Sequence, residues 1–365
     1  MKIQEVINYL EDWAPLAYQE PYDNSGMLVG DVNAEVSGVL VCLDSTESVI
    51  DEAIGKNCNL IVAHHPIIFS GIRSITGMTY VERTLIKAVK NDIAIYAIHT
   101  NLDNVLTGVN KEIADRLGLK NQTILSPKKS SFTKLSVFTP VEKAEEVRKA
   151  MFDAGSGKIG AYENCSFNMD GYGTFKANDE ANPHIGEAGK VHEEPEVRIE
   201  VLVPNFCVGK VVSAMLESHP YEQVAYDLVS LQNENQFVGS GMVGELVNSE
   251  ELMDFLKRVK ATFNAGIVRY TAPLGNNKIK KVAVCGGSGS FLLDAAIEAN
   301  SDIFITADYK YHQFFDADNR IVIADIGHFE SEQFTIDCVR RKLMEKFTTF
   351  AVHFTEVNTN PINYL

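Results

Sequence analysis

The sequence predicts an α/β protein with two similar αβα lobes and a smaller α+β domain inserted between them. Short apolar runs rich in β-branched residues alternate with helical patterns near the start of the chain, and the same rhythm returns near its end. The middle third differs in both element order and charge. A length of 365 residues is enough for two or three domains, each with a sizeable core.

The first lobe is predicted from three apolar runs at residues 39–43 (VLVCL), 60–63 (LIVA) and 93–98 (IAIYAI). The segments SVIDEAIGK and TLIKAVKN between them have helical spacing. Continuous apolar runs that alternate with helices are typical of parallel or mostly parallel strands covered on both faces. The sequence therefore predicts one such sheet here.

The last third repeats this pattern. Its apolar runs lie at 282–285 (VAVC), 303–306 (IFIT) and 321–324 (IVIA), separated by LLDAAIEAN and by a stretch that begins at Lys310. We therefore expect a second lobe of the same kind.

Residues 131–234 are predicted to form the inserted domain. LSVFTPVEKAEEVRKAMFDAG has the pattern of a strand, a proline-marked turn and a helix, and VRIEVLVPNFCVGKVVSAMLESHP repeats it. A further strand-like run follows each, at 162–167 and at 224–231. Two such halves predict a ferredoxin-like domain, with a hairpin and a mobile loop expected within 171–196. Residues 1–130 and 235–365 would together form the core.

The chain is acidic, with 33 Lys+Arg, 49 Asp+Glu and a formal net charge of -16. Residues 131–234 hold 9 of the basic and 17 of the acidic residues, a net charge of -8. A protein that binds phosphate backbones needs a basic face. We therefore do not expect nucleic acid as the main partner.

Other features of the sequence predict a cytoplasmic protein that does not bind a membrane. Acidic residues stand in the N-terminal segment where a signal peptide would be apolar, and no apolar run reaches the length of a membrane span. The six cysteines include no C-x-x-C pair, so we expect buried, reduced thiols rather than a thiolate zinc site or disulfides.

Histidines and carboxylates follow three of the predicted strands. In open α/β sheets, ligands bind beyond the carboxyl ends of the strands. Imidazole and carboxylate groups suit zinc, manganese or iron(II). The residues in these positions are His64 and His65 after the second run, His99 and Asp103 after the third, and His328 and Glu332 after the last.

The spacing of these residues favours two divalent ions over one. The neighbouring side chains of His64 and His65 point apart near a strand end, so each would serve a different ion. His328 and Glu332, four residues apart at a helix start, lie on one helical face. Two ions can share a bridging carboxylate, for which Asp103 and Glu332 are both candidates. His99 is less secure as a ligand, and it fits a position that supports the ligands without binding an ion itself.

A structural role is the alternative for each of these residues taken alone. A single histidine after a strand is often only a hydrogen-bonding residue, and Asp103 could simply begin the next helix. The combination of two histidines, an aspartate and an i,i+4 His/Glu pair favours metal binding instead.

Three weaker candidates complete the set. The glycine turn at 286–290 could hold a phosphate, although it fits neither G-x-G-x-x-G nor a P-loop, and a turn without a ligand is the alternative. Asp308 and His312 could line the same cleft and move protons, or could cap a helix. The remaining histidines near the insert, expected on a solvated surface, are His184, His192 and His219.

Six segments resemble the Nif-three-like family, whose members bear the name GTP cyclohydrolase 1 type 2 homolog. The resemblance covers nearly the whole chain, and the motifs H-H-P, H-T-N-x-D and G-H-x-x-x-E in this order are highly specific. The segments are YDNSGMLVG (22–30), VAHHPIIF (62–69), AIHTNLDNVLTGVN (97–110), CGGSGS (285–290), ITADYKYH (305–312) and IADIGHFESE (323–332). The insert, with HPYEQVAYD (219–227), resembles the PII/CutA-like module of longer bacterial members.

This resemblance implies that His64, His65, Asp103, His328 and Glu332 bind two divalent metals. It also implies a ring-shaped homohexamer, a trimer of dimers, whose metal sites face an internal cavity. Ala307 stands where the family usually has glycine, a departure that touches none of these ligands.

Two classes of function follow as hypotheses. One is a metal-dependent hydrolase acting on a small nucleotide-like or heterocyclic compound, with GTP as one candidate and with Asp308 or His312 moving protons. The other is a protein that stores, delivers or senses metal, or regulates, without catalytic turnover. An adaptor role in transcription has little support from a net charge of -16.

Overall fold

The computed structural model describes residues 1–272 and 277–365. The chain divides into two compact units, one formed by Met1–Pro127 with Gln236–Leu365 and the other by Lys128–Asn235. Within the described residues, no helix combines the length and the apolar character needed to cross a membrane.

The described residues form fifteen strands, eleven α-helices and five short 3-10 helices. The strands are β1 (Gly26–Val29), β2 (Gly38–Cys42), β3 (Leu60–Ala63), β4 (Ala94–Ala97), β5 (Lys120–Lys128), β6 (Phe132–Pro140), β7 (Ser166–Lys176), β8 (Val191–Pro204), β9 (Tyr226–Leu231), β10 (Asn235–Glu251), β11 (Arg269–Tyr270), β12 (Lys278–Ser288), β13 (Ile303–Ala307), β14 (Val322–Asp325) and β15 (Ala351–Phe354). The α-helices are α1 (Ile3–Trp13), α2 (Glu47–Gly55), α3 (Tyr80–Lys90), α4 (Thr100–Asp103), α5 (Val109–Arg116), α6 (Ala144–Asp153), α7 (Val208–Ser218), α8 (Leu252–Thr262), α9 (Leu293–Glu298), α10 (His328–Glu332) and α11 (Thr335–Lys346). The 3-10 helices are Leu16–Tyr18, Val141–Lys143, Asn205–Cys207, Ser290–Leu292 and Tyr311–Ala317.

The first sheet of the larger unit has the order β1-β4-β3-β2-β15. Strands β2, β3 and β4 are the three predicted ones, and they pair in parallel with each other and with β15. Only β1, at the edge, pairs in the antiparallel sense. The sheet is therefore mostly parallel, as expected.

The second sheet has the order β11-β14-β13-β12-β10-β5. Its three predicted strands, β12, β13 and β14, are parallel. The neighbours β10 and β11 run antiparallel to them, so this sheet is more mixed than the sequence predicts. Strands are also exchanged along the chain, because β15 completes the first sheet whereas β5, from the first third, completes the second.

The core of this unit follows from residue alternation along the strands. In β2, Val39 and Val41 face one layer while Leu40 and Cys42 face another, as the period of two in a strand requires. The layer shared by the two sheets also contains α1, α5, α8 and α11. Helices α2 and α3 cover the far face of the first sheet, and α9 covers that of the second.

Helix α3 shows how local sequence sets these helices. The Thr79 side chain caps its start by accepting a hydrogen bond from the Glu82 backbone N–H at 3.2 Å. Leu85 and Ala88, three residues apart, form the buried face. The chain leaves the helix at Asp92, whose φ of 53° is left-handed.

The smaller unit has the element order β-α-β-β-α-β and one antiparallel sheet in the order β7-β8-β6-β9. Helices α6 and α7 pack on one face, where alternate residues of β8 such as Ile199 and Val201 are buried together with Val147 and Met215. The residues of β8 that alternate with these, such as Glu194, Arg198 and Glu200, are mostly polar or charged.

Two expectations for this unit were wrong. The hairpin is longer than predicted, because β7 and β8 pair without a break from Ser166 opposite Val201 to Lys176 opposite Val191, which leaves only 177–190 as the loop. The remaining parts of the hairpin, 168–176 and 191–196, consist mostly of polar residues and glycine, so they gave no apolar signal. His219, expected at the surface, is buried, and its Nε2 donates to the Phe138 carbonyl at 2.9 Å.

The cysteines match the expectation in part. All six are free thiols. Those that are buried are Cys42, Cys58, Cys285 and Cys338, while Cys165 and Cys207 are only half-buried.

Candidate metal centre

The carboxyl ends of strands from both sheets open onto one pocket of about 510 Å³ in the larger unit. Among the residues that line it are His65, His99, Asp103, His328 and Glu332. Residues predicted from three separate strand ends thus lie together, which is the arrangement that ligand sites in open α/β sheets have.

His64 and His65 directly follow β3. Their backbone N–H groups continue the ladder to the carbonyls of Cys42 and Leu43, at 3.0 and 2.9 Å. Their ring centroids are 4.9 Å apart. The end of a parallel strand therefore places two imidazoles side by side, and the ring of His65 lines the pocket.

Asp103 is the last residue of α4, the short helix that follows β4. This turn is fixed from both sides. The Asn101 side chain accepts from the His99 backbone N–H at 2.9 Å and donates to the Ala14 carbonyl at 2.7 Å. The Asn110 side chain donates to the carbonyl of Asp103 at 3.1 Å. Asp103 therefore ends a helix rather than starting one.

His328 and Glu332 are the first and last residues of α10, which follows β14. The turn between the strand and the helix passes through Gly327, whose φ of 95° favours glycine. One turn of helix places both side chains on the face toward the pocket.

The two carboxylate oxygens of Glu332 divide the cluster into two halves. Oε1 lies 3.8 Å from His64 Nε2, which is itself 3.7 Å from an oxygen of Asp103. Oε2 lies 3.0 Å from both His65 Nε2 and His328 Nε2, and these two nitrogens are 3.4 Å apart. We name His64, Asp103 and Oε1 the inner half, and His65, His328 and Oε2 the outer half.

Each histidine of the cluster is oriented through its Nδ1 atom. His64 Nδ1 donates to the Ile98 carbonyl at 2.9 Å. The other three Nδ1 atoms, of His65, His328 and His99, face Asp44, Asp308 and Asp23 in that order, each at 2.7 Å. Because these partners accept hydrogen bonds, Nδ1 carries the proton, which leaves Nε2 as the ligand atom.

The inner half contains polar atoms that no group within the described residues satisfies. His64 Nε2 and Asp103 Oδ1 are both buried without a hydrogen-bond partner among the described residues. Such atoms are costly in a folded protein unless a ligand satisfies them. A cation shared by these atoms and Glu332 fits, and nitrogen and oxygen atoms that bind one tetrahedral ion at about 2.1 Å stand about 3.4 Å apart.

The charges of the metal-free cluster are strongly coupled. Burial opposes the charge on His65, but hydrogen bonds to Asp44 and Glu332 outweigh it and raise its pKa to about 9. The negative charge of Glu332 outweighs the effect of burial and raises the pKa of His328 to about 11. Burial disfavours the negative charge of Glu332, yet the charge of His328 holds the pKa of Glu332 well below its usual value. The pKa of Asp103 is raised to about 7, by burial and then by Glu332.

Two glycines of the turn at 286–290 support the cluster. The N–H groups of Gly286 and Gly287 already donate to Asn110 Oδ1 and Ser331 Oγ, at 3.0 and 2.9 Å. Gly287 has a φ of 61°, and a Cβ there would overlap Glu332 Oε1. The absence of a side chain thus makes room for the carboxylate that both halves share.

The two proton-transfer candidates lie in different places. Asp308 accepts a hydrogen bond from His328 Nδ1. This hydrogen bond outweighs the effect of burial and lowers the pKa of Asp308. His312 lies on the 3-10 helix Tyr311–Ala317, exposed, with its ring against Tyr311 and Phe315. Within the described residues, His312 does not line the pocket.

Two carboxylates of the site were missed by the sequence analysis. Asp44 follows the first predicted strand, so the rule that found His64 and Asp103 applied to it as well. Asp23 lies in the YDNSGM segment before β1 and follows no predicted strand. Hydrogen bonds outweigh burial and lower the pKa of both groups, with His65 acting on Asp44 and His99 on Asp23.

The chain is similar to known proteins along almost its whole length. A family model described as Duf34/NIF3 (NGG1p interacting factor 3) matches residues 1–361. Two proteins named GTP cyclohydrolase 1 type 2 homolog are similar to this chain. The one from Halalkalibacterium halodurans is 42% identical over 99% of this chain and 98% of that protein. The one from Bacillus subtilis is 38% identical over 99% of this chain and 98% of that protein. The crystal structure of a Bacillus cereus protein related to NIF3 matches with a TM-score of 0.84 and 36% identity, covering 100% of this chain and 99% of that one. From the agreement of sequence and fold over this length, we conclude that the chain belongs to the Duf34/NIF3 family.

Proposed function

We propose that the cluster binds two divalent cations and that the protein is a metal-dependent hydrolase of a small heterocyclic or nucleotide-like compound. The observation that carries this proposal is the division of Glu332, one oxygen toward the inner half and one toward the outer half. A carboxylate shared in this way is the usual bridge of two-metal hydrolytic sites.

The ligands would divide as the halves do. His64 and Asp103 would hold one cation, His65 and His328 the other, and Glu332 both. Zinc, manganese and iron(II) suit this donor set. Divalent ions bound here would supply Lewis acidity and the activation of water. His99, whose ring centroid lies 5.3 Å from that of His64, would line the site beside them.

The chain's own residues would position these ligands. Asp44 and Asp308 hold the rings of His65 and His328 through Nδ1, so we assign Asp308 a positioning role. His312 stays a candidate for proton transfer that would need to reach the pocket from outside.

The fold of the smaller unit supports the domain assignment of the insert. We assign residues 131–234 to a ferredoxin-like module of the PII/CutA kind, and residues 1–130 with 235–365 to the metal-binding core. The strand order β7-β8-β6-β9 and the β-α-β-β-α-β element order support this assignment. A homohexamer and a cytoplasmic location are part of the same proposal.

A metal-handling role is the second candidate. The outer half is already balanced without a cation, since both of its histidines are hydrogen-bonded to Glu332 and to a second carboxylate. Because the polar atoms of the outer half have partners with or without a cation, this half suits reversible metal binding. Storage, delivery or sensing of metal requires such reversible binding.

Elemental analysis of protein purified without chelator, followed by turnover assays, tests these proposals. We expect about two metal ions per chain and hydrolysis of a member of a heterocycle and nucleotide panel with zinc, manganese or iron(II). Bound metal that exchanges rapidly with a chelator, without turnover of any panel member, would favour metal handling. Protein that holds no metal even after reconstitution would overturn both.

A further inference from the structure

The residues that follow β15 run past the first sheet to the pocket of the larger unit. The Thr355 backbone N–H extends the pairing of β15 with β2 by donating to a carbonyl of β2 at 2.9 Å. The next residue contacts α2, since the Glu356 backbone N–H donates to the Glu52 side chain at 2.8 Å. Residues 360–362 then line the pocket itself. Segment 355–362 is therefore fixed at its start by the first sheet, and its end forms a wall of the site.

Thr359 connects this segment to the metal centre. Its hydroxyl donates to Asp44 Oδ2 at 2.7 Å. The other oxygen of the same carboxylate, Oδ1, accepts from His65 Nδ1 at 2.7 Å. Within the described residues, no other group donates a hydrogen bond to Oδ2. Both oxygens of Asp44 are thus engaged, one with the imidazole ring and one with the segment.

A carboxylate that is held by both oxygens keeps its histidine in one orientation. Without the Thr359 hydroxyl, the Asp44 carboxylate could turn about its side-chain bonds and move Oδ1 away from the ring. Loss of the donor would also make this carboxylate a stronger acceptor for His65, which by itself favours metal binding. The Asp44 side chain is 35% exposed, so water can replace the lost hydrogen bond but cannot fix the orientation. We therefore expect the change in orientation to dominate.

The inner half is held in place by other parts of the chain. His64 Nδ1 donates to the Ile98 carbonyl, and the carbonyl of Asp103 accepts from the Asn110 side chain. None of these groups belongs to segment 355–362. Loosening the segment at Thr359 should therefore affect the outer half and spare the inner half.

We infer that Thr359 is a positioning residue of the metal centre, which fixes the ring of His65 through Asp44. Because the wall residues 360–362 follow directly, the order of that wall and the affinity of the outer half for its cation depend on each other. This role rests on the proposed binding of two cations and refines it.

Release of metal from the zinc-loaded protein tests this role. Thr359→Val keeps the shape of the side chain but removes the donor. We expect the outer ion to leave about three- to tenfold faster than from the wild type, a smaller effect than the loss of a direct partner of a ligand would have. The inner ion should leave at the wild-type rate. Elemental analysis during timed dialysis against a chelator measures both rates, and Thr359→Ser, which keeps a hydroxyl, should restore slow release.

Two backgrounds assign the effect to one half. In His64→Gln protein, which should retain the outer ion, adding Thr359→Val should speed release. In His328→Gln protein, which should retain the inner ion, the same addition should change nothing. Faster release in both backgrounds would contradict a role specific to the outer half.

Thr355→Val is the matched control. Thr355 is also half-buried in this segment and donates its hydroxyl to a carboxylate, that of Glu52, which belongs to none of the candidate metal groups. Its release rates should stay close to those of the wild type. Equal acceleration in the two valine variants would assign the effect to general loosening of the segment and overturn the role of Thr359.

Hydrogen exchange measures the reciprocal effect. Loading with zinc should slow the exchange of amides in segment 355–362, and Thr359→Val should remove most of this protection while the inner ion stays bound. Release of the outer ion from Thr359→Val that is unchanged or slower overturns the inference and leaves the two-cation centre standing. Wild-type protein that holds no metal overturns both, whereas metal binding without turnover counts against the hydrolase alone.

Discussion

The inner and outer halves of the cluster differ in how far other protein groups satisfy their polar atoms. In the inner half, the His64 side chain is 1% exposed, and its Nε2 has no partner within hydrogen-bonding distance among the described residues. In the outer half, the His328 side chain is 35% exposed, and each of its ring nitrogens faces a carboxylate. The outer half is thus balanced by the protein alone, whereas the inner half is not.

This difference teaches which half depends more on a cation. Leaving buried polar atoms unsatisfied costs free energy, so a cation bound in the inner half removes a penalty as well as forming bonds. In the outer half, a cation must displace protons that carboxylates already hold in place. We therefore expect the inner half to retain its ion more strongly.

Replacing the shared residue should have the largest effect. Glu332→Gln keeps the size of the side chain but removes a charge from both halves, so we expect metal content to fall from about two ions per chain to nearly none. Glu330→Gln is the matched control, because Glu330 is equally buried on the same helix but belongs to none of the candidate metal groups. Equal metal content in the two variants would contradict a shared ligand.

Replacing one histidine should separate the halves. We expect His328→Gln to lose the outer ion only, which leaves about one tightly held ion per chain. His64→Gln should lose the inner ion and leave one that a chelator removes rapidly. Elemental analysis before and after timed dialysis against chelator measures both quantities. Indistinguishable release rates from the two variants would remove the distinction between the halves.

The stability of the metal-free fold and the affinity for metal should depend on pH with opposite signs. A raised histidine pKa stabilises the metal-free fold below the unfolded value of about 6.5, and for His65 this stability is lost as the pH rises through about 9. Cations need the deprotonated ring, so metal affinity should rise over that range, by about tenfold per pH unit for each proton released.

Thermal unfolding at several pH values measures this effect. The melting temperature of the metal-free protein should fall between pH 6 and pH 9, while the difference between metal-loaded and metal-free protein should widen. A constant difference would show that protons and cations do not compete for these rings.

The smallest expected effect concerns the glycine beside Glu332. Gly287→Ala and Gly118→Ala both place alanine at left-handed φ values, 61° and 71°, so each should cost about 1–2 kcal/mol of stability. Only at Gly287 would the new Cβ overlap Glu332, whereas at Gly118 nothing lies within 4 Å. We therefore expect only Gly287→Ala to lower metal affinity as well, by about tenfold, as measured by competition with a chelator.

Local patterns made much of the core predictable. The apolar runs of β2, β3 and β4 and of β12, β13 and β14 are continuous because both faces of each strand are buried. Histidines and carboxylates after such strands stand out, because those positions need no polar groups for packing. The same rule would have found Asp44, had it been applied to every strand.

Long-range pairing was not predictable in the same way. Nothing in the residues of β15 indicates that it pairs with β2, more than 300 positions earlier in the chain. The part of the β7–β8 hairpin nearest its loop is mostly polar or glycine and has no apolar period, so the length of the hairpin was misjudged. The role of Gly287 depends on Glu332 approaching from another element, a contact that local sequence does not encode.

The exchange of strands has a consequence for how this core could arise and be divided. A fragment that ends near residue 130 would lack β15, and a fragment that begins near 235 would lack β5, so each would expose an unpaired strand edge. Neither piece is a self-sufficient building block, although each carries part of the cluster. The two pieces should instead behave as complementing partners that acquire order only when combined. The gap of about a hundred residues between them is where the chain tolerates a large insertion without disturbing that partnership.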